Sequence, residues 1–83
     1  MGEKKIGEVT HFYTDISVGI ISLSGQLELG NLVKFKGSTT DFEQTVDSIQ
    51  IEHEDVERAG AGDEVGVKVD NKVRESDEVY LIE

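Results

Sequence analysis

The chain has 83 residues, with no cysteine and no proline, and its 18 acids against 8 bases give a formal charge of −10. That length makes one domain with room for a single core, since domains run roughly 50–250 residues. Disulfides, thiolate metal sites and cysteine nucleophiles are excluded, and no apolar run approaches the roughly 18 residues of a membrane span. We therefore expect one domain over residues 1–83, with residues 1–5 flexible, in a soluble, cytoplasmic, monomeric protein. The charge is uneven. Asp41 to Glu64 hold nine acids against Arg58 alone, whereas residues 1–40 balance four acids with four bases. Such an acidic middle repels a phosphate backbone, which argues against DNA as a partner.

Ile6 to Tyr13 is rich in β-branched and aromatic residues and reads as a first strand. After the turn chemistry of Thr14-Asp15, Ile16 to Leu23 reads as a second. Its apolar phase changes partway: Ile16, Val18 and Ile20 share one face, while Ile21 and Leu23 take the other. Either both faces are covered there or a bulge shifts the register. Leu27 to Gly37 turns at Gly30-Asn31 and continues as a strand with Val33 and Phe35 inward and Lys34 and Lys36 outward. Phe42 to Glu52 reads as the longest strand, with Phe42 and Val46 in one phase and Ile49 and Ile51 in the other. That slip predicts a bulge or bend near Asp47-Ser48.

Glu52 to Arg58 is the one stretch with room for a helical turn, and a turn is expected there. Ala59-Gly60-Ala61-Gly62-Asp63 is a glycine-rich turn. It leads into the clearest alternation in the chain, Val65, Val67 and Val69 against Glu64, Gly66, Lys68 and Asp70. Gly66, inside this strand, marks a close backbone approach. Asp70-Asn71-Lys72 is a turn, and Glu78 to Glu83 is the final strand. The chain shows no internal repeat at this level.

Six short strands with turn signals every 8–12 residues predict an all-β fold. Closure would remove the edges that invite pairing between molecules, so the expectation is a closed six-stranded antiparallel barrel. The expected core is Ile6, Val9, Val18, Ile20, Val33, Phe35, Val46, Ile49, Ile51, Val65, Val67, Val69, Val79 and Leu81.

Several segments carry a resemblance. Leu27-Glu28-Leu29-Gly30-Asn31-Leu32-Val33 resembles the "L-x-V-G-D-x-V" turn in the second domain of translational GTPases, with Asn31 where Asp is usual. Glu57 to Val67 resembles the same family's "A-x-x-G-D-x-V-G" signature. Val73 to Val79 resembles its "V-x-x-G-D-x-V", with Ser76 in place of glycine. Ile6-Gly7-Glu8-Val9 with Gly19-Ile20-Ile21 looks like that domain's opening strand pair. In detail Gly37 to His53 is similar to stand-alone translation elongation factor-like proteins and to the C-terminal barrel of collagenase-like peptidases, a family associated with RNA modification. The resemblance implies a barrel of the elongation factor Tu domain 2 type. In elongation factor Tu that barrel helps hold the aminoacyl end of tRNA and packs on the GTPase domain, and no GTPase domain lies within these residues.

Candidate chemistry is sparse. The glycines of 59–66 suggest a phosphate loop, but Asp63-Glu64 stand where phosphate would sit and a strand follows instead of a helix. His53 lies among Glu52, Glu54 and Asp55. Neighbours on a strand face opposite ways, so these do not converge as the three or four ligands of a metal site. The serines lack His and Asp at any telling spacing. Phe12 and Tyr13 with Lys34 and Lys36 form the one combination suited to nucleic acid, aromatics stacking on bases and lysines meeting phosphates. Glu54 and Asp55 head the acidic lobe as a candidate protein-docking patch. The expectation is a non-enzymatic module without cofactor or metal, with Phe12, Tyr13, Lys34, Lys36, Glu54 and Asp55 as its interaction surface. The partner would be a protein or a structured RNA (tRNA or rRNA). The alternative is a detached accessory domain that docks onto a collagenase-like peptidase or RNA-modifying enzyme.

Overall fold

The computed structural model describes residues 2–83, and these form ten strands: β1 (Glu3–Tyr13), β2 (Val18–Leu23), β3 (Leu27–Glu28), β4 (Leu32–Lys36), β5 (Asp41–Thr45), β6 (Ile49–Ile51), β7 (Glu54–Val56), β8 (Arg58–Ala59), β9 (Glu64–Lys68) and β10 (Glu78–Ile82). The fold is all-β as expected, but the closed six-stranded barrel is not found. Eight strands form one antiparallel ladder in the order β5-β4-β10-β1-β2-β9-β6-β7, and β3 and β8 pair separately. Among the described residues the ladder is open at β5 and β7. Glu3, Lys4 and Lys5, expected as a flexible leader, pair with Ile82, Leu81 and Tyr80; Met1 lies outside the described residues.

The larger strand number has a local cause. The expected long strand 42–52 breaks at Val46-Asp47-Ser48, where the apolar phase slips. Its first half pairs with β4 and its second with β7 and β9, so the two halves serve opposite ends of the ladder. The turn expected within Glu52 to Arg58 is present, not as a helical turn but as the tip of a β-hairpin. Ile51 pairs with Glu54, leaving Glu52 and His53 as a two-residue loop with φ of 51° and 67°. Two positive φ values in a two-residue loop are the signature of a type I′ turn, whose twist matches that of the flanking strands.

The core is a continuous cluster centred on Phe35, Val67 and Val79, each without measurable exposure. Full burial of one such side chain contributes roughly 1.5–3 kcal/mol. β2 departs from the expected phase. Gly19, Ile21 and Leu23 face the core, while Val18 and Ile20 lie half-buried on the opposite face. Its register with β9 is unbroken from Val18↔Lys68 to Ser22↔Glu64, so no bulge interrupts it. The shift sits in β1, between Val9 and His11. Ile51 and Leu81 are half-buried against the cluster, and Leu27, Ala59 and Val73 join the core from turn-entry positions.

Contrary to the expectation of no repeat, one turn occurs three times. In residues 28–31, 60–63 and 74–77 the fourth residue's N–H bonds the first residue's carbonyl, at 3.2, 3.1 and 3.1 Å. In each the fourth side chain accepts from the first N–H: Asn31 Oδ1 from Glu28, Asp63 Oδ2 from Gly60, Asp77 Oδ2 from Arg74, at 2.9, 3.0 and 2.8 Å. The third residue has positive φ: Gly30 88°, Gly62 93° and Ser76 74°. That is the place a type II turn reserves for glycine. Each third N–H and fourth carbonyl then exchange bonds with one residue of another strand or its end: Val46, Leu23 and Val9 respectively. Each turn is flanked by a buried pair, Leu27 and Val33, Ala59 and Val65, Val73 and Val79. The three sequence motifs are thus three copies of one device that launches β4, β9 and β10.

Candidate functional site

The expected interaction residues are dispersed. Phe12 is half-buried against the core, while Tyr13 is 48% exposed and rests on the His11 ring, centroids 4.4 Å apart. Lys36 lies opposite Glu78 on one side and Asp41 on the other, and Glu78 in turn lies opposite Glu8 of β1. Tyr13 is five residues further along β1, or about 16 Å at 3.3 Å per residue. The aromatics and the lysines therefore do not form one platform. Glu54 and Asp55 are exposed on the end strand β7, where Asp55 Oδ1 accepts from Gln50 Nε2 at 3.0 Å. Charge on an end strand discourages pairing with a further chain.

The outer face of β1, β10 and β4 is an ionic ladder. Lys5 Nζ is 3.0 Å from both Glu8 and Glu78, Lys34 Nζ is 3.3 Å from Glu3, and the Tyr80 hydroxyl donates to Glu78 at 2.8 Å. The Glu8 and Glu78 carboxylates hold Lys5 above its ordinary pKa, and Glu3 does the same for Lys34. Lys5, with help from Tyr80, holds Glu78 below the usual glutamate value, and Glu78 raises Tyr80. Lys34 thus has a carboxylate partner already, which leaves it less positive field to offer a phosphate.

The glycine-rich turn carries no phosphate cradle. Gly60 N–H is taken by the Asp63 carboxylate, Gly62 N–H by the Leu23 carbonyl and Asp63 N–H by the Gly60 carbonyl. A phosphate would need those donors free and no carboxylate in their midst. Among the described residues no three His, Cys, Asp or Glu side chains gather as metal ligands. His53 sits at the hairpin tip, exposed.

What the strands do assemble is an open groove of about 980 Å³ on the outer face of β2 and β9. Its floor is Val18, Ile20 and Gly66. A Cβ on Gly66 would stand 3.2 Å from Val18 Cγ1 and 3.5 Å from Ile20 Cδ1, so the bare backbone lets both side chains lie across β9. β6 is paired in register with β9 at Gln50↔Gly66 alone, and the β6–β7 hairpin beyond it gives one wall, Ile51 to His53. His11, Tyr13 and Ile16 form the opposite lip, Ile16 being 61% exposed. Of the expected residues only Tyr13 lines this groove. The signal for it was present in β2, where apolar residues occupy both phases, and in the glycine facing them from β9.

No protein-family model matches the chain. It is 46% identical over 79 residues, 94% of its length, to a protein named as an uncharacterized protease of Methanocaldococcus jannaschii; the chain spans about a fifth (19%) of that relative. Among solved structures it superposes on the C-terminal domain of the Geobacillus thermoleovorans protein assigned to the U32 peptidases, with a TM-score of 0.90 at 17% identity, covering 96% of this chain and 93% of that one. A selenomethionine variant of the same domain gives 0.87 at 18% identity, over 92% and 96%. These comparisons support the peptidase side of the resemblance and lend nothing to the translation-factor side. The chain has the fold of a U32 peptidase C-terminal domain and matches a protease in sequence over one fifth of that protease's length.

Proposed function

We propose that this chain is a non-catalytic accessory domain that docks onto a larger enzyme of the collagenase-like peptidase kind. The observation that carries the reading is the fit of nearly the whole chain to a minor part of a protease. Its likeness to a C-terminal domain crystallised on its own adds that such a fold stands as a separate unit. The site supports it in chemical terms. The chain offers an apolar groove on a sheet face, a surface suited to protein contact, whereas its glycine-rich turn has spent its donors internally. The translation-factor reading, with tRNA or rRNA stacked on Phe12 and Tyr13 beside Lys34 and Lys36, has less behind it, since the fold separates those residues.

The test is affinity capture by the full chain in its native cell, with and without ribonuclease. Retention of a collagenase-like peptidase chain that survives ribonuclease is the expected result. Retention of tRNA or rRNA alone contradicts it.

A further inference from the structure

We infer that the groove over β2 and β9 seats a segment of the partner enzyme in which Lys or Arg residues stand beside aliphatic ones. The inference rests on the docking reading above and names the chemistry of its contact. The floor is apolar: Val18 and Ile20 lie half-buried across Gly66, and Ile51 continues it toward the hairpin. Two valine or isoleucine side chains packed over a glycine on the outside of a sheet leave apolar area that no further described residue covers. An aliphatic side chain laid there removes that area from water.

Charge selects the partner's other residues. The groove is rimmed by Glu52, Asp63 and Glu64, and among the described residues no Lys or Arg lines it. All three acids come from the segment 41–64, where nine acids face Arg58 alone. The nearest base on β9, Lys68, stands beside Val18 at the far end and does not line the groove. Asp63 has one carboxylate oxygen occupied by Gly60 N–H, and Glu64 reaches only the Thr10 hydroxyl at 3.4 Å. Both can therefore receive a cation from outside. Complementary charge of this kind raises the rate of encounter and excludes acidic competitors, while the apolar floor holds the complex. A nucleic acid meets the wrong sign here, and a second copy of the chain, at a net charge of −10, is repelled.

The test is a titration of the isotope-labelled full chain, followed by amide NMR shifts. The probe is a synthetic peptide of alternating Lys and Leu, with alternating Glu and Leu as its counterpart. The Lys-Leu peptide should give saturable shifts at Val18, Ile20, Ile51 and Gly66, and the Glu-Leu peptide none. Ile16→Asp and Glu52→Lys, both at exposed lip or rim positions, should each weaken the Lys-Leu peptide about tenfold without lowering the melting temperature. Equal binding of both peptides, shifts spread evenly over the acidic residues, or affinity unchanged in both variants would overturn the groove. So would self-association of the chain abolished by Ile16→Asp. A peptidase captured equally by wild type and Ile16→Asp would overturn the groove while leaving the accessory reading in place. Peptide binding as stated, with no peptidase ever captured, would overturn the accessory reading alone.

Discussion

The side-chain amide of Gln44 does for Asp70 what a neighbouring strand would do: Oε1 accepts from Asp70 N–H at 2.8 Å while Nε2 donates to the Lys68 carbonyl at 2.8 Å. Gln44 lies on β5, one end of the open ladder, while Lys68 is the last residue of β9 and Asp70 lies two residues beyond it. One primary amide thus bridges a gap the backbone ladder leaves, with Gln44 only 5% exposed.

Removing that amide leaves the Asp70 N–H and the Lys68 C=O without this partner, at up to roughly 1–3 kcal/mol each where water does not replace it. Gln44→Leu should lower stability by a few kcal/mol in urea denaturation. Gln44→Glu is the sharper variant. The carboxylate it introduces, when ionised, still accepts from Asp70 N–H but has no proton to donate to the Lys68 carbonyl, and burial would raise its folded pKa. A group whose folded pKa is raised contributes its stability at low pH and loses it as pH rises. Gln44→Glu should therefore be least stable at neutral pH and recover toward wild type on acidification; a loss that grows with acid would refute the bridge.

Ser76 holds φ at 74° in the turn where its two counterparts are glycines. A left-handed conformation costs a side-chain-bearing residue roughly 1–2 kcal/mol, partly offset by the entropy glycine loses on folding. Ser76→Gly should raise stability by up to about 1 kcal/mol, and Gly30→Ala or Gly62→Ala should lower it by about as much. Thermal melts of the three variants check the equivalence of the three turns. The hairpin loop follows the same logic: replacing Glu52-His53 with Asn-Gly, the pair a type I′ turn favours, should also raise the melting temperature.

Glycines differ in what a methyl group would strike. At Gly7 a Cβ would stand 2.7 Å from the Ser22 carbonyl oxygen and 2.8 Å from Ile21 Cγ2, and at Gly37 it would enter the space of the Asp77 carboxylate, itself fixed by Arg74 N–H. Gly7→Ala and Gly37→Ala should each cost about 1–3 kcal/mol, as overpacked sites do. Gly66→Ala meets the movable Val18 and Ile20 side chains, with the Gln50 carbonyl at an ordinary 4.0 Å, and should cost least of the three. The reverse ranking in denaturant melts would contradict the packing described.

Lys5 and Tyr80 hold the Glu78 carboxylate below the usual 4.5. A depressed folded pKa contributes stability above the unfolded pKa, and that contribution is lost as pH falls through the folded one. Stability should therefore decline as pH drops below about 4.5, and Glu78→Gln should flatten that limb of the profile. An unchanged acid limb in the variant would show that the triad with Lys5 and Tyr80 does not form in solution.

Strands β4 and β9 were legible because Val33 and Phe35, and Val65 and Val67, alternate with charged residues or glycine, so only one face can be buried. β2 was not, because Val18, Ile20, Ile21 and Leu23 are apolar on both phases, and a period of two cannot say which phase meets the core. A turn was legible near Glu52-His53, but its hairpin form was not, because neither residue is the Asn-Gly or Asp-Gly pair that marks a type I′ turn. The threefold turn was hidden by Asn31 and Ser76, which keep the geometry while breaking the letter pattern. The groove needs β6 to keep one register pair alone with β9, a consequence of the break at Val46 to Ser48 that no local pattern states.

Direct docking of this chain onto a collagenase-like peptidase can be read by isothermal titration. The purified full chain is titrated against the peptidase captured from the same cell, after ribonuclease treatment. One-to-one binding is expected, weakening with salt and about tenfold with Ile16→Asp. No heat of binding at micromolar concentrations of both proteins would contradict the docking.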